Sequence, residues 1–261
     1  MAEIKRMTDE EFDDIASTLK FDRVKLTKDY IITVLLYLLK DVEGIYFKGG
    51  TALQKIFLDH SRLSEDIDFT ITKEVRIVKN EINSIIEKSK MFDGTSEDKD
   101  VEGFLRIVVN YTSFDGLRDK VFIDLNKRAK IMLRPEKHEV KHYYQPHIPA
   151  FLINTLARDE IIAEKLAAAI GRNKPRDHFD VYKIIHAELP INIELTKKKC
   201  EDSGAEFSII KMFNKAKVLK KRWDKDLASL ISEPLSFQEI MHALAEHFRL
   251  KSEKMKLRKK S

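Results

Sequence analysis

The chain has 261 residues, 43% of them hydrophobic and 35% charged, with a formal net charge of +5. That balance excludes a disordered chain and a polytopic membrane protein, and the length allows one large domain or two modest ones. One cysteine, Cys200, excludes an intramolecular disulfide and a cysteine-based metal site, and its context, KKKCED, suggests a solvated helix face.

In chain order, TDEEFDDIAS opens with Thr8 and Glu11 at capping-box spacing, and KDYIITVLLYLLK is apolar enough for a buried helix. Residues 8–40 therefore predict two helices. The longest apolar stretch, residues 30–39, is half of the roughly 20 residues that a membrane crossing needs, so no membrane association is expected. Glu3, Lys5, Arg6, Asp9, Glu10 and Glu11 at the start predict no signal peptide and a cytoplasmic location. Ile45, Tyr46 and Phe47 form a short apolar run that stops at Gly49 and Gly50, which reads as a strand and a tight turn. A helix starts at these glycines, with Leu53, Ile56 and Phe57 at helical spacing and Thr51 able to cap it. DIDFTI, residues 66–71, alternates at period two and predicts a second strand.

Residues 73–91 return to helical spacing, 93–100 read as a polar loop, and 104–112 and 120–126 predict a strand pair joined by 113–119. Residues 138–149 show neither period and mark a domain boundary. Five helices are expected beyond it, at 156–170, 179–187, 193–200, 207–219 and 237–250. The expected fold class is α/β (α+β): a mixed sheet of four or five strands with flanking helices in 1–148, a helical bundle in 149–261, and a cleft between them.

Asp66 and Asp68 lie two apart on a strand, so their side chains leave one face with Cα atoms roughly 6.6 Å apart. Such a pair suits a hard divalent cation, although a solvated strand face gives the same pattern. Gly49 and Gly50, at a strand-to-helix turn, open a backbone cradle for phosphate or serve only as a turn. Asp124, on a later strand, can project beside Asp66 and Asp68, and three carboxylates would hold two ions; a strand-end aspartate is the other reading. His138, His142 and His147 cross a proline-bearing stretch and match no zinc spacing, and no P-loop sequence occurs. The basic runs at 215–223 and 251–261 are candidates for a nucleic-acid surface, with Trp223 either stacking a base or anchoring an amphipathic helix.

KGGTALQKIF followed by RLSEDIDF resembles the signature of the AbiEii/AbiGii toxin family, within the DNA polymerase β-like nucleotidyltransferase superfamily. Arg62, Ser64, Asp66, Ile67, Asp68 and Phe69 fill the second motif. EIIAEKLAAAIGRNKPRDHFDVY resembles the family's helical block through Glu164, Lys165, Leu166, Arg172, Pro175, Arg176, Asp177 and Asp180. The resemblance implies a metal-dependent enzyme moving a nucleotide from an NTP to an acceptor hydroxyl, with Mg²⁺ or Mn²⁺ on Asp66, Asp68 and Asp124. It implies nucleotide binding by Lys48, Gly49, Gly50, Thr51, Arg62, Ser64, Lys165 and Arg176. Lys165, on an alanine-rich helix, would neutralise the triphosphate. Asp177 would orient or deprotonate the acceptor, with Asp180 as the other candidate, although a helix-stabilising charge pair with Lys183 explains both aspartates equally well. The role implied is the toxin of an abortive-infection or toxin–antitoxin system, with RNA such as the tRNA 3′ end as acceptor and an antitoxin as partner. Two alternatives remain: a catalytically silent nucleotide-binding module with a protein partner, and a transferase acting on a protein or small molecule.

Overall fold

A computed structural model of the protein describes residues 4–258. Glu3 and the last residues of the basic tail, Lys259, Lys260 and Ser261, lie outside the described residues. The chain divides into two compact units, the first ending at Ala157 and the second beginning at Arg158.

The first unit opens with α1 (Asp9–Leu19), where the Thr8 hydroxyl accepts from the Glu11 N–H and the Glu11 carboxylate accepts from the Thr8 N–H. This reciprocal cap satisfies two of the amides that a helix start leaves unpaired. α2 (Arg23–Leu39) follows, apolar almost all round and buried accordingly. The seven strands are β1 (Ile45–Lys48), β2 (Asp66–Ile71), β3 (Gly94–Val101), β4 (Phe104–Thr112), β5 (Arg118–Asn126), β6 (Glu136–Glu139) and β7 (Leu152–Thr155). They form one sheet in the order β3-β4-β5-β2-β1-β7-β6. β2 runs parallel to β5 and β1 to β7, while the other neighbours are antiparallel, so the sheet is mixed as expected. Between β1 and β2 lie α3 (Gly49–Ala52) and a π-helical turn, Leu53–Phe57, and α4 (Val75–Ser89) follows β2.

Three strands exceed the sequence expectation. The segment read as a polar loop at 93–100 is the edge strand β3, which pairs with β4 alone. Its charged side chains face solvent and α4, where Arg76 and Lys79 engage Glu97 and Arg76 engages Asp100. An exposed edge needs no apolar alternation, and its charges discourage pairing with another chain. β6 and β7 are four residues each, too short for a period to show. Because β7 pairs with β1, the division falls after Ala157 rather than at 148.

The second unit is helical: α5 (Arg158–Gly171), α6 (Pro175–His186), α7 (Ile193–Asp202), a 3-10 turn at Ile209–Phe213, α8 (Ala216–Leu227), α9 (Phe237–His247) and α10 (Leu250–Arg258). The helix expected at 207–219 is this 3-10 turn and the start of α8, broken at Asn214 and Lys215, and α8 continues to Leu227. Leu166, Ile170, Phe179, Met212, Trp223 and Leu244 lie in its core. Trp223 donates its indole N–H to the Leu235 carbonyl at 3.0 Å, so it anchors α8 and leaves no face for a base. Cys200 is buried in the same core rather than solvated, and Lys199 beside it is buried too, paired with Glu160 and Glu164 on α5. No helix among the described residues is long and apolar enough to cross a membrane.

Candidate active site

Alternation along β2 buries Ile67 and Phe69 and leaves Asp66 and Asp68 half-buried on the opposite face. The parallel register with β5 sets Asp68 opposite Asp124 and Asp66 opposite Phe122, and the antiparallel register with β1 sets Lys48 opposite Asp68. Directly paired residues share a face, so the three carboxylates are brought to one side of the sheet. The turn out of β1 closes over this face. Gly49 has φ +78°, and a Cβ there would lie 2.1 Å from Asp68 Oδ2, so both backbone and space demand glycine. The buried Thr51 hydroxyl donates to the Asp66 carbonyl, strapping α3 to the start of β2. Gly50 lies between them in α3.

Asp124 is nearly buried, and both of its oxygens are taken. Arg106, directly opposite on β4, donates Nε–H to Oδ1 and Nη2–H to Oδ2, each at 2.7 Å. Those bonds, with the negative charges of Asp124, Asp66 and Asp98, raise the guanidinium pKa above its ordinary value against the opposing pull of partial burial. Arg62 and Ser64 are buried in the loop entering β2. The Arg62 guanidinium donates to the Leu63 carbonyl at 2.7 Å, and the Gln54 side-chain oxygen receives the Arg62 N–H at 3.2 Å and the Ser61 hydroxyl at 2.8 Å. Arg62 therefore shapes the loop that delivers Asp66.

In the second unit, Lys165 on α5 reaches Asp177 Oδ1 at 3.2 Å and Asp180 Oδ2 at 2.8 Å, both on α6. Arg172 adds a two-pronged bond to Asp177, 2.7 Å at each oxygen. Asp177 and Asp180 have no solvent exposure and Lys165 has 6%. Burial alone would push the Asp177 pKa up, but Lys165 and Arg172 outweigh it and hold the carboxyl well below the usual carboxylate range. Arg176 is half-buried in the first turn of α6.

The family model for the nucleotidyl transferase AbiEii toxin of type IV toxin–antitoxin systems matches residues 36–245. The chain belongs to the AbiEii family. Among solved structures it is similar to MenT4, the nucleotidyltransferase toxin Rv2826c of Mycobacterium tuberculosis H37Rv, at 20% identity and TM-score 0.67, over 93% of this chain and 89% of that one. It is also similar to JHP933 from Helicobacter pylori, at 18% identity and TM-score 0.59, over 90% of this chain and 96% of that one. A putative nucleotidyltransferase from H. pylori aligns at 19% identity and TM-score 0.58, over 90% and 97%. No curated protein matches by sequence. As an AbiEii member the protein is a nucleotidyltransferase, with an NTP as substrate and an antitoxin as the family's partner.

Both sequence blocks fall within the matched region of this AbiEii chain. Arg106 was missed: in FLRIVVNYT it reads as one solvent-facing position of an alternating strand. Only the strand register reveals its partner. Asp66 and Asp68 fit a hard divalent cation by donor type and shared face, whereas Asp124 commits both oxygens to Arg106. Among the described residues, no three His, Cys, Asp or Glu side chains are gathered for a metal ion. His138 Nε2 lies 2.7 Å from Glu136 Oε2.

Proposed function

We propose that this protein transfers a nucleotide from an NTP to a hydroxyl on RNA, with the tRNA 3′ end as the first acceptor to test, and that it acts in the cytoplasm as the toxin of its pair. The observation that carries this reading is the carboxylate face of β2 with Gly49 closed against Asp68. Asp66 and Asp68 would hold Mg²⁺ or Mn²⁺. The ion, when bound, supplies Lewis-acid stabilisation of the charge that develops on the phosphoryl oxygens, worth several kcal/mol. The backbone of Gly49, Gly50 and Thr51 faces the phosphates, with Lys48 at the turn and Arg62 and Ser64 fixing the loop into Asp66. Arg176 supplies positive charge for the triphosphate. The Lys165 ammonium is committed to Asp177 and Asp180 in a closed interior, so its charge serves the helical unit rather than the triphosphate. Asp177, sealed and held ionised, fixes that ammonium.

In the transfer the acceptor oxygen bonds to the α-phosphorus, the bond from that phosphorus to the bridging oxygen breaks, and pyrophosphate leaves while the hydroxyl proton passes to solvent. The RNA assignment draws support from α8, where Lys217, Lys220, Lys221, Arg222 and Lys225 are exposed while Leu219, Trp223 and Leu227 are buried. A one-sided basic helix suits a phosphate backbone.

The test incubates the protein with each labelled NTP, Mg²⁺ or Mn²⁺ and total cellular RNA, beside the Asp66→Ala, Asp68→Ala double variant. Label should enter RNA and disappear with the variant. Transfer to protein or a small molecule instead would move the acceptor. Nucleotide binding without transfer to any acceptor would leave a binding module.

A further inference from the structure

We propose that Arg106 takes the place of a second cation on the carboxylate face, so that this protein works with one divalent ion, on Asp66 and Asp68, and not with two. This inference rests on the reading of Asp66 and Asp68 given above.

The case begins with what a third carboxylate is for. Asp124 lies beside Asp68 by strand register, the place from which it could hold a further ion. Its oxygens are instead met by two parallel N–H···O bonds of 2.7 Å from one guanidinium. That fork matches a carboxylate in shape, and its charge is permanent because arginine does not lose its proton in proteins. The pair is also built in rather than adventitious. Arg106 and Asp124 are directly opposed on adjacent strands, so neither depends on a loop for its place. The guanidinium carbon lies 4.9 Å from the centre of the Phe122 ring, and Nη1 is 3.9 Å from Asp98 Oδ2 on β3. Phe122 is itself the register partner of Asp66, so Arg106 is held at the strands that carry the acidic face.

A divalent ion reaching Asp124 would have to sit within a few ångströms of this fixed positive charge or expel it from two hydrogen bonds and an aromatic surface. Mutual repulsion opposes the first, and the loss of those contacts opposes the second. Among the described residues the three aspartates are not gathered as a ligand set. In this assignment Asp124 positions Arg106, and Arg106 supplies the charge that a second ion would have carried.

The experiment counts ions without requiring turnover. The full chain, saturated with a non-hydrolysable NTP analogue, is titrated with Mn²⁺, and protein-bound Mn²⁺ is counted by electron paramagnetic resonance. One ion per chain is expected, and Asp124→Asn should leave that number at one. Arg106→Ala, which frees Asp124, should raise it to two, and Arg106→Lys, which keeps the charge, should hold it at one. Two ions on the unchanged protein, an ion lost with Asp124→Asn, or a count unmoved by Arg106→Ala would overturn the inference. No ion on the unchanged protein would overturn the assignment of Asp66 and Asp68 on which it rests. Should Arg106→Ala unfold, the counts on the unchanged protein and Asp124→Asn still decide it.

Discussion

The aspartates of the first unit stand on a strand face, with Asp66 and Asp68 half-exposed, whereas Asp177 and Asp180 of the second are sealed with Lys165 between two helices. Desolvating a charge is expensive, and a sealed carboxylate is kept ionised only by partners fixed in place. Asp177 has such partners in Lys165 and Arg172. A half-exposed carboxylate keeps hydration that an incoming cation can replace. The two acidic pairs of the sequence are therefore opposite devices, one suited to capture and one to fixing a lysine.

Removing charge is the strongest way to break this comparison. Asp177→Ala takes one of two carboxylates from the buried Lys165 ammonium and the two-pronged partner from Arg172, and removing one member of a buried charged group costs about 3–5 kcal/mol. Asp68→Asn, on the half-exposed face, should cost less than about 1 kcal/mol of stability while abolishing transfer. Denaturant unfolding of both variants measures the difference. Equal losses would mean that the strand face is as structural as the helix pair.

Much of the first device was legible because it is local. Two aspartates at period two and a glycine pair between a strand and a helix specify a face and a turn from neighbours alone. Arg106 was not legible, because its role depends on which residue of β5 it faces. A hairpin centred one residue later than the real one would have moved Arg106 from Asp124 to Asn126. β3 escaped because charged edge strands carry no apolar period, and the sealing of Asp177 escaped because burial depends on how α5 and α6 pack rather than on spacing.

Gly49→Ala sharpens the capture side with a smaller change. The new methyl would occupy space held by Asp68 Oδ2, 2.1 Å away, on a backbone at φ +78°. The backbone strain alone is about 1–2 kcal/mol, and relief of the clash requires Asp68 to swing away. Nucleotide transfer should fall by at least tenfold while the folded spectrum is kept. Activity equal to that of the unchanged protein would show that the turn does not set the carboxylate.

The first unit also contains a sealed pair of its own, immediately behind the turn, and pH separates it from the open face. Lys55 donates to Asp29 at 2.8 Å and to the Thr33 hydroxyl at 2.9 Å, and the Tyr144 hydroxyl donates to Asp29 at 2.9 Å. His60 lies against this cluster, 4.6 Å from the Tyr143 ring, with Nε2 buried and without a hydrogen-bond partner among the described residues. Burial first, and then the Lys55 charge, push the His60 pKa down from 6.5 to about 4, and burial pushes His142 to about 4 as well. Between pH 6.5 and 4 the unfolded chain therefore takes up protons that the folded chain refuses. Stability present above pH 6.5 is lost as pH falls towards 4. Asp29, held below its ordinary value because Lys55 outweighs burial, loses its contribution only below about pH 4. His60 alone should lower stability by about 1 kcal/mol between pH 7 and 5.5, and His60→Asn should flatten that slope in thermal melts. An unchanged slope would place the acid sensitivity elsewhere, and the cluster behind the turn would then have to be read as permeable to water, like the face in front of it.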